Sequence, residues 1–252
     1  MQTIITYGTT IATVGLVLSL PRTVLGARIG PATAGAFGVA VLMAGRVVSP
    51  ADLASGLEVL WRPFLTIISI MFSTASAQRL GILNFFARLF EPHSDQSTAF
   101  VFRSVFIFSA ITSAVLNNDA AVLLLTPLIV GLIRRCYPDR QELILPFAFA
   151  VFSAAGVAPL VISNPMNLIV AEYAGIGFNE YAARMIPIAV VGWLTTYAVL
   201  RLIFRSELHT ASGKSDLGIP PPILSRPAKQ FLGVMIVALG CFPALSYAGG
   251  PV

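Results

Sequence analysis

The sequence predicts an all-α polytopic membrane protein, and three observations predict it. Hydrophobic residues make up 56% of the 252 positions and charged residues only 11%, where soluble domains carry roughly 25% charged residues. Mean hydropathy is +0.84. A bilayer core about 30 Å thick takes about 20 apolar residues per helical span, and runs of that kind lie at 3–20, 29–48, 60–77, 142–160, 180–200 and 230–247.

The first three runs make three transmembrane helices within 1–77. The first positive charge is Arg22, so no basic segment precedes the opening run. That favours a first span with its N-terminus outside over a cleaved signal peptide. Ala34, Gly35 and Gly38 are small enough to let helices approach closely, either between two copies of the chain or within one. Next, 78–92 places Gly81, Asn84, Arg88 and Glu91 at helical spacing with Leu80, Leu83, Phe86 and Phe90 on another side. This pattern predicts an amphipathic helix in the membrane interface.

The region 99–135 does not fit the template of a simple span. Between Arg103 and Arg134 its strongly polar residues are Asn117, Asn118 and Asp119, at the middle. Arg103 and Arg134 lie about 47 Å apart as one helix, too long for one span, whereas two full spans need about 40 residues. Two arms of about 15 residues each, reaching about 22 Å in and back, resolve this as a re-entrant hairpin. Its tip is the polar triplet, since Asn and Asp cap the unpaired N–H groups of a helix start. Irregular backbone at that depth must be buried in protein or face a watery cavity.

Charge distribution supports the hairpin. With 99–135 entering and leaving on one side, all of the 16 Lys and Arg residues except Arg46, Arg62 and Arg184 fall on one face. The positive-inside rule makes that face cytoplasmic. A single span through 99–135 would scatter the same charges across both faces. The net charge of +5 thus reports orientation in a membrane rather than nucleic-acid binding.

A broken helix is expected over 142–176. No charge lies between Glu142 and Glu172, and Gly156, Pro159 and Pro165 interrupt the run. The helix should climb to about Pro159, unwind across Val161 to Pro165 and resume near Met166, with Asn164 non-helical because it precedes a proline. Ser163, Asn164 and Asn167 then sit at the break. Paired interruptions of this kind mark solute sites in transporters. Asp119, a carboxylate at membrane depth, is the expected proton or cation carrier. A closing span follows at 180–206, then a polar cytoplasmic linker at 207–229 and one more span within 230–252.

Other chemistry finds little support. Cys136 and Cys241 are far apart in apolar settings and suggest neither a disulfide nor a metal site. His93 and His209 fall in loops. No Gly-x-Ser-x-Gly or His-Glu-x-x-His element occurs, so no enzyme and no cofactor is expected.

LNNDAAVLLLTPLIVGLIRR followed by PLVISNPMNLIVAEYAGIGFNEYAARMIP resembles the N-terminal half of the arsenite efflux permeases, relatives of sodium/proton antiporters of the NhaD type within the ion transporter superfamily. The resemblance implies a fold of inverted repeats, of which this chain carries one with its re-entrant hairpin and broken helix, plus one further span. It maps Asn117, Asn118, Asp119, Thr126 and Pro127 onto the hairpin motif and Ser163, Asn164, Pro165 and Asn167 onto the unwound segment. It implies a secondary transporter exporting arsenite or a related metalloid oxyanion against protons, with a cation/proton antiporter as the alternative. Asn117, Asn118, Asp119, Ser163, Asn164 and Asn167 would bind the solute or ion, Asp119 would couple protons, and Thr126, Pro127 and Pro165 would support the site. Its partners would be a small inorganic solute, protons and the inner-membrane bilayer, with a homodimer, a C-terminal half or an ATPase subunit as protein partners. No second Asn-Asn-Asp or Ser-Asn-Pro element occurs in the 252 residues, so a truncated permease or a half-unit is expected.

Overall fold

The structure, a computed structural model, describes residues 2–18, 22–24, 27–89, 97–209 and 223–248. Sequence expectations that fall on 90–96, His93 included, on 210–222 and on 249–252 lie outside these residues. The chain divides into two units, Met1–Trp61 and Arg62–Val252.

In the first unit, α1 (Gln2–Leu18) packs on α2 (Pro31–Ala44). Pro31 opens α2, where the missing N–H costs no hydrogen bond. The small residues divide in role: Ala34 and Gly38 are buried, and a Cβ on Gly38 would stand 2.3 Å from the Thr13 hydroxyl oxygen, whereas one on Gly35 would meet nothing within 4 Å. Gly38 therefore serves close packing within one chain. Between the helices, β1 (Arg22–Val24) pairs antiparallel with β2 (Ala27–Ile29), Thr23 opposite Arg28. This short ribbon is an addition to the predicted all-helical pattern.

Helix α3 runs from Pro50 to Arg79 across the boundary between the units. It opens on a reciprocal cap: the Ser49 N–H donates to the Asp52 carboxylate over 2.8 Å, and the Asp52 N–H donates to the Ser49 hydroxyl over 3.2 Å. Gly81, at φ +70, turns the chain into α4 (Ile82–Arg88), since a left-handed residue is cheapest as glycine. The regular helix is shorter than the 78–92 expectation because Gly81 separates it from α3. It buries Ile82 and Leu83 and exposes Asn84.

The second unit is built on α5 (Thr98–Val115), α6 (Asn118–Cys136) and α7 (Ile144–Ala155), which pack on one another around Phe102, Val105, Leu125, Ile129, Phe147 and Val151. Phe102 meets Phe147 edge-on at 5.4 Å between ring centres, and Tyr197 of α9 (Phe178–Ile203) lies against both Phe102 and Phe106. After α8 (Pro165–Ala174) and α9 come α10 (Arg205–His209) and α11 (Arg226–Tyr247). Asn179 fixes α11 by donating its amide to the Pro243 carbonyl over 3.0 Å, and the Phe178 and Phe242 rings stack at 5.6 Å.

Among the described residues, α5, α9 and α11 are each long and apolar enough to cross a membrane, and Pro50–Glu58 with Leu60–Arg79 supplies a fourth candidate. Val191, Leu194 and Leu202 on α9, with Val234, Ile236 and Val237 on α11, expose apolar side chains as a lipid-facing surface does. The chain is an all-α polytopic membrane protein.

Two expected boundaries shift. The hairpin arms are 18 and 19 residues rather than about 15. Ser97 caps α5 by accepting from the Phe100 N–H over 3.1 Å, and α6 continues past Pro127 to Cys136. The helix before the break ends at Ala155, not near Pro159. Proline lacks an N–H and its ring clashes with the carbonyl four residues back, which for Pro159 is that of Ala155. Pro127 is accommodated inside α6, but here Gly156 caps α7, its N–H donating to the Phe152 carbonyl, and the chain leaves the helix before Pro159.

Candidate functional site: the hairpin tip and the helix break

The tip of the α5–α6 hairpin is two residues long, Leu116 and Asn117. Asn117 is the N-cap of α6: its side-chain oxygen accepts from the Asp119 N–H over 2.8 Å and from the Ala120 N–H over 3.4 Å. Asn118 also presents its side-chain oxygen to the Asp119 N–H, at 2.8 Å. Two of the N–H groups that a helix start leaves unpaired are thus satisfied by asparagine. Asn117 is buried, at 8% exposure, while Asp119 is exposed in the first turn of α6. A helix N-terminus carries about half a positive charge, which favours a carboxylate there.

The break between α7 and α8 can be followed group by group, because each buried backbone polar group needs a partner. Trp193 of α9 donates its indole N–H to the Ala154 carbonyl over 2.9 Å, taking up an acceptor at the end of α7. The Ser113 hydroxyl donates to the Val157 carbonyl at 3.4 Å, and the Asn167 amide to the Ala158 carbonyl at 3.4 Å. A short 3₁₀ turn, Val161–Ser163, follows. Asn164 is extended (φ −149, ψ 131) and caps α8, its side chain accepting from the Met166 N–H over 2.8 Å.

Ser163 joins the two features. Fully buried, it donates to the Ala114 carbonyl in the last turn of α5 over 2.9 Å and accepts from the Leu160 N–H over 3.1 Å. Its hydroxyl is engaged with protein on both sides, so it stands behind the site rather than at its face.

Tip and break share a cavity of about 330 Å³. Asn117, Asp119, Ala120, Leu123 and Leu124 line it from the hairpin, and Pro165 from the start of α8. The third wall is α3, through Ile67, Ile70, Met71, Thr74, Ala75 and Gln78. Asn118, Asn164 and Asn167 are half-buried beside these positions rather than in the lining. Thr126 and Pro127 lie well down α6, about 10 Å or more from the tip at the helical rise, and do not line the cavity. The α3 wall is what sequence reasoning missed. Its signal is the polar run Ser73-Thr74-Ala75-Ser76-Ala77-Gln78 closing an apolar span, with 67, 71, 74 and 78 on one helical face.

The lining holds one formal charge, Asp119, and no Lys, Arg or His. The starts of α6 and α8 both contribute to the cavity and together bring about one positive charge equivalent, roughly balancing the carboxylate. Such a site suits a small, polar, neutral or weakly charged species. Among the described residues, no three His, Cys, Asp or Glu side chains gather as a metal site.

A helical hairpin and an interrupted helix line one cavity, apolar except for Thr74, Gln78, Asn117 and Asp119, in a polytopic helical membrane protein. The family model described as "Citrate transporter" (CitMHS) matches residues 11–250, and the chain belongs to that family. It is similar to the arsenical pump membrane protein of Escherichia coli strain K12, 26% identical over 246 residues, which cover 96% of this chain and 56% of that protein. An arsenical pump membrane protein from Yersinia enterocolitica is 24% identical over 216 residues, 84% of this chain and 50% of the relative. A 46 kDa membrane protein of Mycobacterium leprae is 23% identical over 182 residues, 71% and 42% of the respective chains. The chain spans about half the length of the curated relatives it matches. No solved structure matches it.

Proposed function

We propose that this chain forms the solute-binding repeat of a secondary active transporter that exports arsenite, or a related metalloid oxyanion, in exchange for protons. The observation that carries the reading is the shared cavity: the cap of α6, Asn117, and the first residue of α8, Pro165, line it beside a single carboxylate, Asp119. Arsenous acid is a weak acid, largely uncharged at neutral pH, whose hydroxyls both donate and accept hydrogen bonds. It suits neutral amides and a carboxylate better than a multiply charged carboxylate such as citrate, which would meet no cationic side chain in the lining. The names of the arsenical pump relatives point the same way.

In this reading the α5–α6 hairpin is re-entrant from the cytoplasmic side of the inner membrane, the N-terminus is outside, and 207–229 is cytoplasmic. A second half of similar construction, or a second copy, completes the pathway. Asp119 carries the exchanged proton. A cation/proton antiporter is the second reading, favoured by the presence of one carboxylate and no basic group in the same lining.

Uptake into everted vesicles separates the two. Arsenite uptake that depends on an imposed proton gradient supports metalloid export; a gradient response to sodium with none to arsenite refutes it in favour of the antiporter.

A further inference from the structure

Among the described residues, the hydroxyl of Thr74 is the buried side-chain polar group left without a hydrogen-bond partner. Thr66 and Ser69 on the same helix donate to the carbonyls of Arg62 and Leu65 one turn back, and Ser104 and Ser109 on α5 do likewise. This back-bonding is the ordinary way a helical Ser or Thr satisfies itself in an apolar setting. Thr74 does not use it. Its residue is 8% exposed, and its Oγ1 is buried with no hydrogen-bond partner among the described residues. An unpaired buried hydroxyl costs about 1–3 kcal/mol, so such groups are few and call for a partner. Thr74 lines the cavity that also holds Asn117, Asp119 and Pro165, and Gln78, one turn further along α3, lines it too.

We propose that Thr74 is a solute-binding residue, its hydroxyl completing hydrogen bonds to the hydroxyl groups of a small solute held at Asn117 and Asp119, with Gln78 as a second polar contact from α3. The site is then three-sided: the cap of α6, the start of α8, and one face of α3. This rests on the proposed reading of the cavity as the solute site. Thr74 acts on affinity rather than on proton exchange, because a hydroxyl does not ionise at neutral pH and Asp119 is the one carboxylate in the lining.

The test compares Thr74→Val, which keeps shape and removes the hydroxyl, with Thr74→Ser, which keeps the hydroxyl, for arsenite uptake by the full protein in everted vesicles. Thr74→Val should raise KM about five- to tenfold, the loss of one neutral hydrogen bond, with the maximal rate within about twofold, and Thr74→Ser should retain the wild-type KM. A wild-type KM in Thr74→Val overturns the assignment. A wild type that moves no arsenite refutes the transport reading instead, and the assignment is then decided by labelling. In a background with Cys136→Ser and Cys241→Ser, Thr74→Cys and Gln78→Cys should react with a small water-soluble methanethiosulfonate, while Ile68→Cys, an exposed apolar position on α3 outside the cavity lining, should not. Failure of position 74 to label overturns the proposal.

Discussion

The Ser163 hydroxyl donates to the carbonyl of Ala114 across 2.9 Å, fastening the helix break to the last turn of α5 just before the hairpin tip. Two interruptions, far apart in sequence, are thereby held as one unit. Ser163→Ala should destabilise the protein by about 1–3 kcal/mol, because the Leu160 N–H loses its acceptor at a buried site and the Ala114 carbonyl a donor. Thermal unfolding in detergent measures this, and transport should fall with it.

Asn117 combines a structural and a chemical task, and two substitutions separate them. Asn117→Ala removes the cap of α6 and should cost about 0.5–2 kcal/mol. Asn117→Asp keeps an equally good cap but brings a second carboxylate into a lining that already holds Asp119. Its melting temperature should stay close to wild type while solute transport is lost. Equal activity in Asn117→Asp would show that the amide is only a cap.

Trp193→Phe keeps an aromatic ring but removes part of its volume and the indole N–H that serves the Ala154 carbonyl at the end of α7. A loss of about 0.5–1.5 kcal/mol is expected from the single bond. Hydrogen exchange should rise locally over the last turn of α7 and not in α11.

Gly38→Ala and Gly35→Ala form a pair of opposite expectation. A methyl at 38 would drive into Thr13, at 2.3 Å from its Oγ1 and 3.0 Å from its Cβ, whereas the space at 35 is open. The first should destabilise by about 1–3 kcal/mol and the second should be neutral or slightly stabilising, since alanine is the better helix former. Unfolding curves of the two variants check this directly.

The tip could be located from sequence because Asn117, Asn118 and Asp119 are the only strongly polar side chains in an apolar run, and cap chemistry fixes which residue ends up outside the helix. The break was equally visible through Pro159 and Pro165. Its upper edge lies earlier than Pro159 because Gly156 caps α7 at Ala155; a proline alone does not mark a helix end, as Pro127 inside α6 shows. Ser163 reads as a solute ligand in the sequence, and only three-dimensional packing gives its hydroxyl two protein partners. The α3 wall had a local signal in its polar run, but that α3 rather than another helix faces the tip is a matter of tertiary packing, which no periodicity encodes. The β1–β2 ribbon, at three residues a strand, is too short for alternation to mark.

The measurement that bears most directly on the central claim is proton movement driven by arsenite. Everted vesicles containing the protein are loaded with a pH-sensitive dye, energised, and challenged with arsenite. Wild type should partly collapse the proton gradient as arsenite enters, and Asp119→Asn should show neither arsenite entry nor gradient collapse while reaching the membrane in equal amount. Arsenite entry at the wild-type rate in Asp119→Asn, or entry with no proton movement in wild type, would contradict the account.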